Sequence, residues 1–233
     1  MDVLNSRITS FVKIPLPKRK GSLTSIDGSS KALISDENSY ENREFELEFA
    51  TMAKTEQERY NLEGQLFTLF DGFDYKPFRI YTDPNFTYFV KNIDNVEVDR
   101  ITRLSNARIY KYKLSAAAFK YFEIDKELAF SEPFELFSSF LFDAKPYFKI
   151  TGNGAVKFQI NDRTFDLNID GFIELDSAEE NQDAFKTNDD GSIAFVNENT
   201  TIDEFPSLSR GVNKISWDGD VSQVIVRPRW RTI

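Results

Sequence analysis

The sequence predicts a mainly β protein of two β-sandwich-like domains, residues 1–126 and 127–233, with one α-helix inserted in the first. Three observations carry this. Residues 43–52 alternate apolar and charged side chains with a period of two, the pattern of a strand with one buried face. Most of the remaining chain consists of short β-branched and aromatic runs separated by turn residues such as Asp83-Pro84-Asn85, Asn161-Asp162 and Asp218-Gly219. A single stretch, 55–70, has helical spacing bounded by a capping signal and a glycine.

In chain order, Met1 to Lys20 reads as a first strand built on Phe11, Val12 and Ile14, then a loop with Pro15, Pro17 and the cluster Lys18-Arg19-Lys20. That triplet is a solvated loop rather than a docking patch. Residues 21–42, rich in Gly, Ser and Asp around one apolar island at Ala32-Leu33-Ile34, suit a long hairpin arm. In 43–52, Phe45, Leu47 and Phe49 face a core while Glu44, Glu46 and Glu48 face water. Three like charges at this spacing need solvent, so they form a wetted face rather than acid–base machinery. In 55–70, Thr55 and Glu58 form a capping box, Leu62, Leu66, Leu69 and Phe70 share one narrow stripe, and Gly72 ends the helix. Strands follow at 76–81, 86–92, 96–104 and 107–116, a meander that closes as a sandwich or a partly open barrel, its open end or edge covered by the helix.

Residues 116–145 lack a clean period and combine a charged piece at 123–127 with Phe134, Leu136, Phe137, Phe140, Leu141 and Phe142, so the domain boundary falls here. Beyond it, strands are expected at 147–151, 155–160, 163–167 and 171–175, with turns at Gly152-Asn153-Gly154 and Asn161-Asp162. An acidic loop, 176–191, and a strand at 193–196 come next. The end of the chain reads as a hairpin: 212–217 alternate, Asp218-Gly219 turns, 221–226 returns, and Pro228 removes a donor and stops the pairing. Trp217 points the same way as Ile215 and is expected in the core. Trp230, between Arg229 and Arg231, suits an exposed or interfacial ring.

Composition removes whole classes of function. With 233 residues and neither Cys nor His, the chain has no disulfides, no thiol or imidazole catalysis and no Cys/His metal site. No apolar core follows a basic start, and no apolar run approaches the roughly 18 residues of a membrane span, so neither a signal peptide nor membrane insertion is expected. Residues 1–126 carry 19 basic and 19 acidic side chains, whereas 127–233 carry 10 and 19, so the net charge of −9 belongs to the second half. Such a half neither holds nucleic acid nor sits on an anionic membrane. The 23 phenylalanines fit two tight cores, or cores plus apolar assembly surfaces.

Candidate chemistry is sparse. Asp189-Asp190-Gly191 supplies oxygen ligands suited to calcium, without the spacing of an EF-hand loop. A carboxylate glycosidase needs two acids facing across a cleft, and none of the many acids is singled out. Trp217 or Trp230 could stack on a sugar. No phosphate loop or nucleophile elbow occurs, and no catalytic, metal or cofactor set is expected.

The wording of the last stretch is more specific. Phe205, Pro206 and Leu208, then Gly211, Asn213, Ile215-Ser216-Trp217 and Gly219, ending in Arg227-Pro228-Arg229-Trp230-Arg231, resembles the C-terminal signature of the distal tail protein (Dit) family of siphophages infecting Gram-positive bacteria. Residues 147–154, Asn161-Asp162-Arg163, 173–177 and Asp183-Ala184-Phe185-Lys186 are similar to that family's second domain. In the first half the Gly21 and Asp27-Gly28 loop, the 43–49 strand, the single helix and Tyr88-Phe89 stand where the family has them.

The resemblance implies a virion protein without enzymatic activity or cofactor, located at the distal end of the phage tail. Family members form a homo-oligomeric ring, commonly a hexamer, through their N-terminal domains, with galectin-like C-terminal domains projecting outward. One ring face meets the tail tube protein, the other the tail-associated hub protein, and the outer domains can carry receptor-binding protein. DNA passes through the channel without specific binding. Some members carry a large inserted carbohydrate-binding module, for which this chain lacks the length, favouring a scaffold. The alternative is a glycan-binding β-sandwich module recognising host cell-wall saccharides, and a third reading is the glycosidase.

Overall fold

The computed structural model describes residues 6–28, 30–101 and 106–233. Residues 1–5 of the expected first strand, and the expected strand end at Leu104 with the turn residue Ser105, lie outside them. The chain forms two compact units, one of Met1–Thr82, Tyr88–Lys120 and Ile233, the other of Asp83–Thr87 and Tyr121–Thr232. The architecture is mainly β, with one α-helix among the described residues.

In the first unit the elements are β1 (Ser6–Ile8), β2 (Arg19–Thr24), β3 (Leu33–Tyr40), β4 (Arg43–Met52), α1 (Glu56–Leu69), β5 (Lys76–Phe78), β6 (Phe86–Asn92, its first two residues in the second unit), β7 (Glu97–Arg100) and β8 (Ala107–Ala116). The sheet runs β1-β4-β8-β6, with β5 on β6 and β7 on β8. Phe11, Val12 and Ile14, expected in a strand, are irregular, and the strand lies earlier, with Ile8 opposite Phe49. Pro15 and Pro17 explain the displacement, since neither can donate to a ladder.

The alternation in β4 is realised as read. Phe45, Leu47 and Phe49 are buried opposite Leu114, Tyr112 and Tyr110, while on the other face Glu46 and Glu48 stand opposite Lys113 and Lys111. Lys113 Nζ lies 3.0 Å from Glu44. The helix covers the apolar face. Thr55 Oγ1 accepts from Glu58 N at 3.2 Å and Glu58 Oε2 accepts from Lys54 N at 2.7 Å, so the start of α1 is capped from both directions. At the other end, the last carbonyls of a helix lack intrahelical partners. Tyr112 Oη donates to Leu66 O at 2.7 Å and Lys76 Nζ to Thr68 O at 3.0 Å, so strands β8 and β5 supply the missing donors. Burial, with the neighbouring Tyr110 second, pushes the Tyr112 phenol well above its ordinary range, which keeps it a donor. Tyr112→Phe is therefore expected to cost about 1–3 kcal/mol in chemical denaturation, because the Leu66 carbonyl is left buried without a partner.

The second unit contains β9 (Lys120–Phe122, entering from the first), β10 (Leu128–Phe130), β11 (Phe134–Ser138), β12 (Tyr147–Ile160), β13 (Arg163–Asp176), β14 (Asp183–Thr187), β15 (Ile193–Phe195), β16 (Thr200–Thr201), β17 (Gly211–Arg227) and β18 (Arg231–Thr232). Its sheet runs β10-β17-β12-β13-β14-β15, with β11 on β17 and β16 on β13. Three expectations are corrected here. Gly152-Asn153-Gly154 is not a turn but the middle of the 14-residue β12. Asp218-Gly219 is not a hairpin but the middle of the 17-residue β17, which pairs with β12 on both sides of it. The supposed loop 176–191 contains β14.

The glycines bend strands instead of ending them. On a straight strand, residues ten apart are separated by roughly 33 Å. The rings of Phe148 and Phe158, both on β12, are 5.3 Å apart, so the sheet doubles over and one set of long strands supplies both layers around the core. Gly152 lies opposite Gly171, and Gly154, Gly171 and Gly219 have φ of 77°, 78° and 124°. At the same place three residues of β12, 154–156, stand against Gly219, and Ser222 is skipped in the pairing register with β12. The net slip of one residue changes which side chains of β17 face inward: Asn213 and Ile215 before the bulge, Val224 and Val226 after it.

Candidate assembly surfaces

The C-terminal signature residues are internal braces. Leu208 is fully buried and exchanges backbone hydrogen bonds with Ala144, at 2.9 and 3.1 Å, and Pro206 beside it is buried. Gly211, at φ 100°, lets the chain enter β17. Asn213 is fully buried: its Oδ1 accepts from Ser209 N at 2.9 Å and from Asn161 Nδ2 at 3.2 Å, and its Nδ2 donates to Ser209 O at 2.8 Å. Asn161 in turn accepts from Lys214 N at 2.9 Å, which ties the β12–β13 turn to β17. Gly219 sits in the bulge. Phe205 is half-buried, and Pro228 is buried behind Arg227.

The two tryptophans do not divide as expected. Both are half-buried against the same core, Trp217 with its ring edge-on to Phe134 at 6.4 Å. Trp230, expected as an exposed or interfacial ring, is half-buried, and its carbonyl accepts from Phe122 N at 2.8 Å. Because Trp217 is only half enclosed, Trp217→Ala is expected to cost about half the 3–5 kcal/mol of a fully buried ring, measured by thermal or urea unfolding.

Nor are the terminal arginines a free cationic patch. Arg227 pairs with Glu127, Arg231 Nε donates to Asp143 O at 2.7 Å and its NH1 to Glu179 at 2.9 Å, and Arg229 holds Asp176 through contacts of 2.5 and 3.2 Å. Each closes the chain end onto a carboxylate brought from far away in sequence. Burial acts to raise the Asp176 carboxyl, but hydrogen bonds from Arg229, Ala178 N and Asn181 outweigh it and hold the group below the usual carboxylate range.

Arg227, Arg229 and Asp176 border an open recess of about 450 Å³ lined also by Tyr147, Lys149, Glu174, Phe185 and Thr187. Glu174 is 4% exposed; it accepts from Tyr147 Oη and, at 2.6 Å, from Thr187 N, with Lys149 Nζ 3.9 Å away. Its two carboxylates are thus engaged by fixed donors from β12 and β14 and from the loops that carry Ala178, Asn181 and Arg229, an arrangement that stiffens the sheet. In the acidic stretch, Asp190 Oδ1 accepts from Ser192 N at 2.9 Å and Ser192 Oγ at 2.6 Å, closing a tight turn.

What the molecule offers outward is strand edge and apolar surface. Among the described residues the β2–β3 ribbon pairs only within itself, as the 21–42 arm was expected to, and Leu23 and Ile34 lie opposite each other, each 73% exposed. Arg19, read as part of a solvated triplet, instead binds Asp36 at 2.9 Å across the base of the ribbon. Phe11 and Leu16 are also exposed.

The chain is thus a mainly β protein of two units whose conspicuous polar groups brace the fold and whose unfilled surfaces are edges and rings. Among solved structures it has the fold of a phage distal tail protein. It resembles the crystal structure of the SPP1 Dit (gp 19.1) protein, described as a paradigm of the hub adsorption apparatus in phages infecting Gram-positive bacteria, with a TM-score of 0.61 and 13% identity over 98% of this chain and 92% of that one. The phage P2 baseplate in its activated conformation with Ca aligns at TM-score 0.47 and 6% identity, over 94% of this chain and 90% of that one. No protein-family model and no curated protein sequence matches the chain.

Proposed function

We propose that the chain is a non-enzymatic virion protein forming a ring at the distal end of a siphophage tail, joining the tail tube to a tail-associated hub and leaving a channel for DNA. The observation that carries this reading is the likeness to the SPP1 Dit fold across 98% of the chain. The β2–β3 arm agrees with it. A lone two-stranded ribbon is at best marginally stable in water, and this one leaves two apolar side chains in solvent, as an element that packs on a neighbouring subunit would. The first unit would close the ring, the second, galectin-like, would project outward, and receptor-binding protein would attach there. Residues 1–126 carry no net charge, so a ring built from them would exert little net attraction on passing DNA.

Mass determination in solution tests this: a ring-sized oligomer is expected, reduced to monomer by the double change Leu23→Lys and Ile34→Lys without loss of folded β signal. A strict monomer at every concentration, with or without tail tube protein, would refute it. The glycan-binding alternative finds less support, because Trp230 lies against the core and the recess carboxylates already have partners.

A further inference from the structure

We propose that the free edge of β15 in the second unit binds an extended, apolar and basic segment of a partner protein, which adds to the sheet as a further strand. The edge is the outermost strand of the sheet and, among the described residues, pairs only with β14. Its register determines which backbone groups are available. Asn188 N donates to Ser192 O at 2.9 Å and Val196 N to Ala184 O at 2.8 Å, so the hydrogen-bonded positions of this antiparallel pair are Ser192, Ala194 and Val196. Ile193 and Phe195 therefore turn their N–H and C=O groups away from β14, toward the open side.

The side chains of the same two residues are exposed, Ile193 by 54% and Phe195 by 63%. Phe195 stands opposite Phe185, and Phe185 opposite Glu174, so this apolar strip continues the face that carries the recess. Protected edges carry lysine, proline or a covering loop, whereas this one presents two large apolar side chains. Four backbone groups and two side chains are then available to one extended peptide, backbone for affinity and alternate side chains for selection.

Charge specifies the partner. Asp189 and Asp190 precede β15 and Glu198 follows it, all exposed, and the stretch 176–204 holds nine acids against Lys186 alone. The incoming strand carries lysine or arginine at its ends and apolar residues at alternate positions between them. This goes beyond the ring reading and does not depend on it.

The probe is a blocked Lys-Val-Lys-Val-Lys-Val-Lys peptide, with the Glu-Val counterpart as control, added to the full chain while amide exchange is followed residue by residue. Saturating slowing of at least tenfold is expected at Ile193 and Phe195, with Ala194 unchanged because its amide already serves β14, and with weakening at higher salt. Phe195→Pro removes only an outward donor, so it should abolish binding while leaving the melting temperature within a few degrees. Asp189→Asn with Glu198→Gln should weaken binding several-fold on the unaltered edge. Equal binding of the Glu-Val peptide, protection confined to other strands, or binding that survives Phe195→Pro would overturn the proposal. Concentration-dependent protection of the same two amides without peptide would overturn it too, by making the occupant a second copy of the chain.

Discussion

Replacing Arg229 by alanine is expected to destabilise the second unit by about 3–5 kcal/mol at neutral pH, among the largest effects of any single change in the chain. Asp176 is buried, and its charge is compensated chiefly by the guanidinium 2.5 Å away. Removing the arginine leaves a largely buried carboxylate without an equal partner. Asp176→Asn combined with Arg229→Met should recover much of the loss, since an uncharged pair carries no such desolvation cost.

The pH dependence has a definite sign. In the wild type the folded Asp176 carboxyl lies below its unfolded value near 3.9, so its contribution is present above that value and lost as pH falls through the folded one. In Arg229→Ala, burial acts without its main counterweight and lifts the carboxyl above the unfolded value, so the variant regains stability as pH falls. The difference between the two proteins should therefore shrink from pH 7 toward pH 3, as read from urea midpoints. A constant difference across that range would mean the arginine acts through packing alone.

The second large effect is expected at Gly152. A Cβ there would lie 2.1 Å from the Asp220 carbonyl oxygen and 3.1 Å from Val221 Cα, both backbone, so no rotamer change can make room. Gly152→Val should cost about 3 kcal/mol or more, at the upper end of overpacking, because β12 and β17 must separate where the sheet doubles over. Gly64→Ala is the natural contrast. Nothing lies within 4 Å of a Cβ at this helical glycine, and the change should stabilise by up to about 1 kcal/mol.

The same glycines mark where sequence reading stopped short. Gly152-Asn153-Gly154 and Asp218-Gly219 have the composition of turns, and locally a turn and a bend ask for the same residues. A signal for the bend existed: Phe148, Ile150, Val156, Phe158 and Ile160 hold one parity through Gly152–154, as a continuous strand requires and a turn does not. No comparable signal existed for Arg229 and Asp176, or for Asn161 and Asn213, whose partners are more than 50 residues apart. Reading Trp230 as an exposed or interfacial ring between two arginines treated the chain end as local, although Arg227, Arg229 and Arg231 are each held by a distant carboxylate and Trp230 packs on the core.

The amino-acid sequence alone determined the β class, the buried face of β4, the capped helix and the hairpin arm. All follow from periodicity and capping, which act over a few residues. It also carried the likeness to distal tail proteins in its closing stretch. Tertiary structure alone decided which glycines bend strands, which charges are consumed in pairs, and which edges remain open. Close backbone approach, ion pairing and ladder register arise only when distant segments meet.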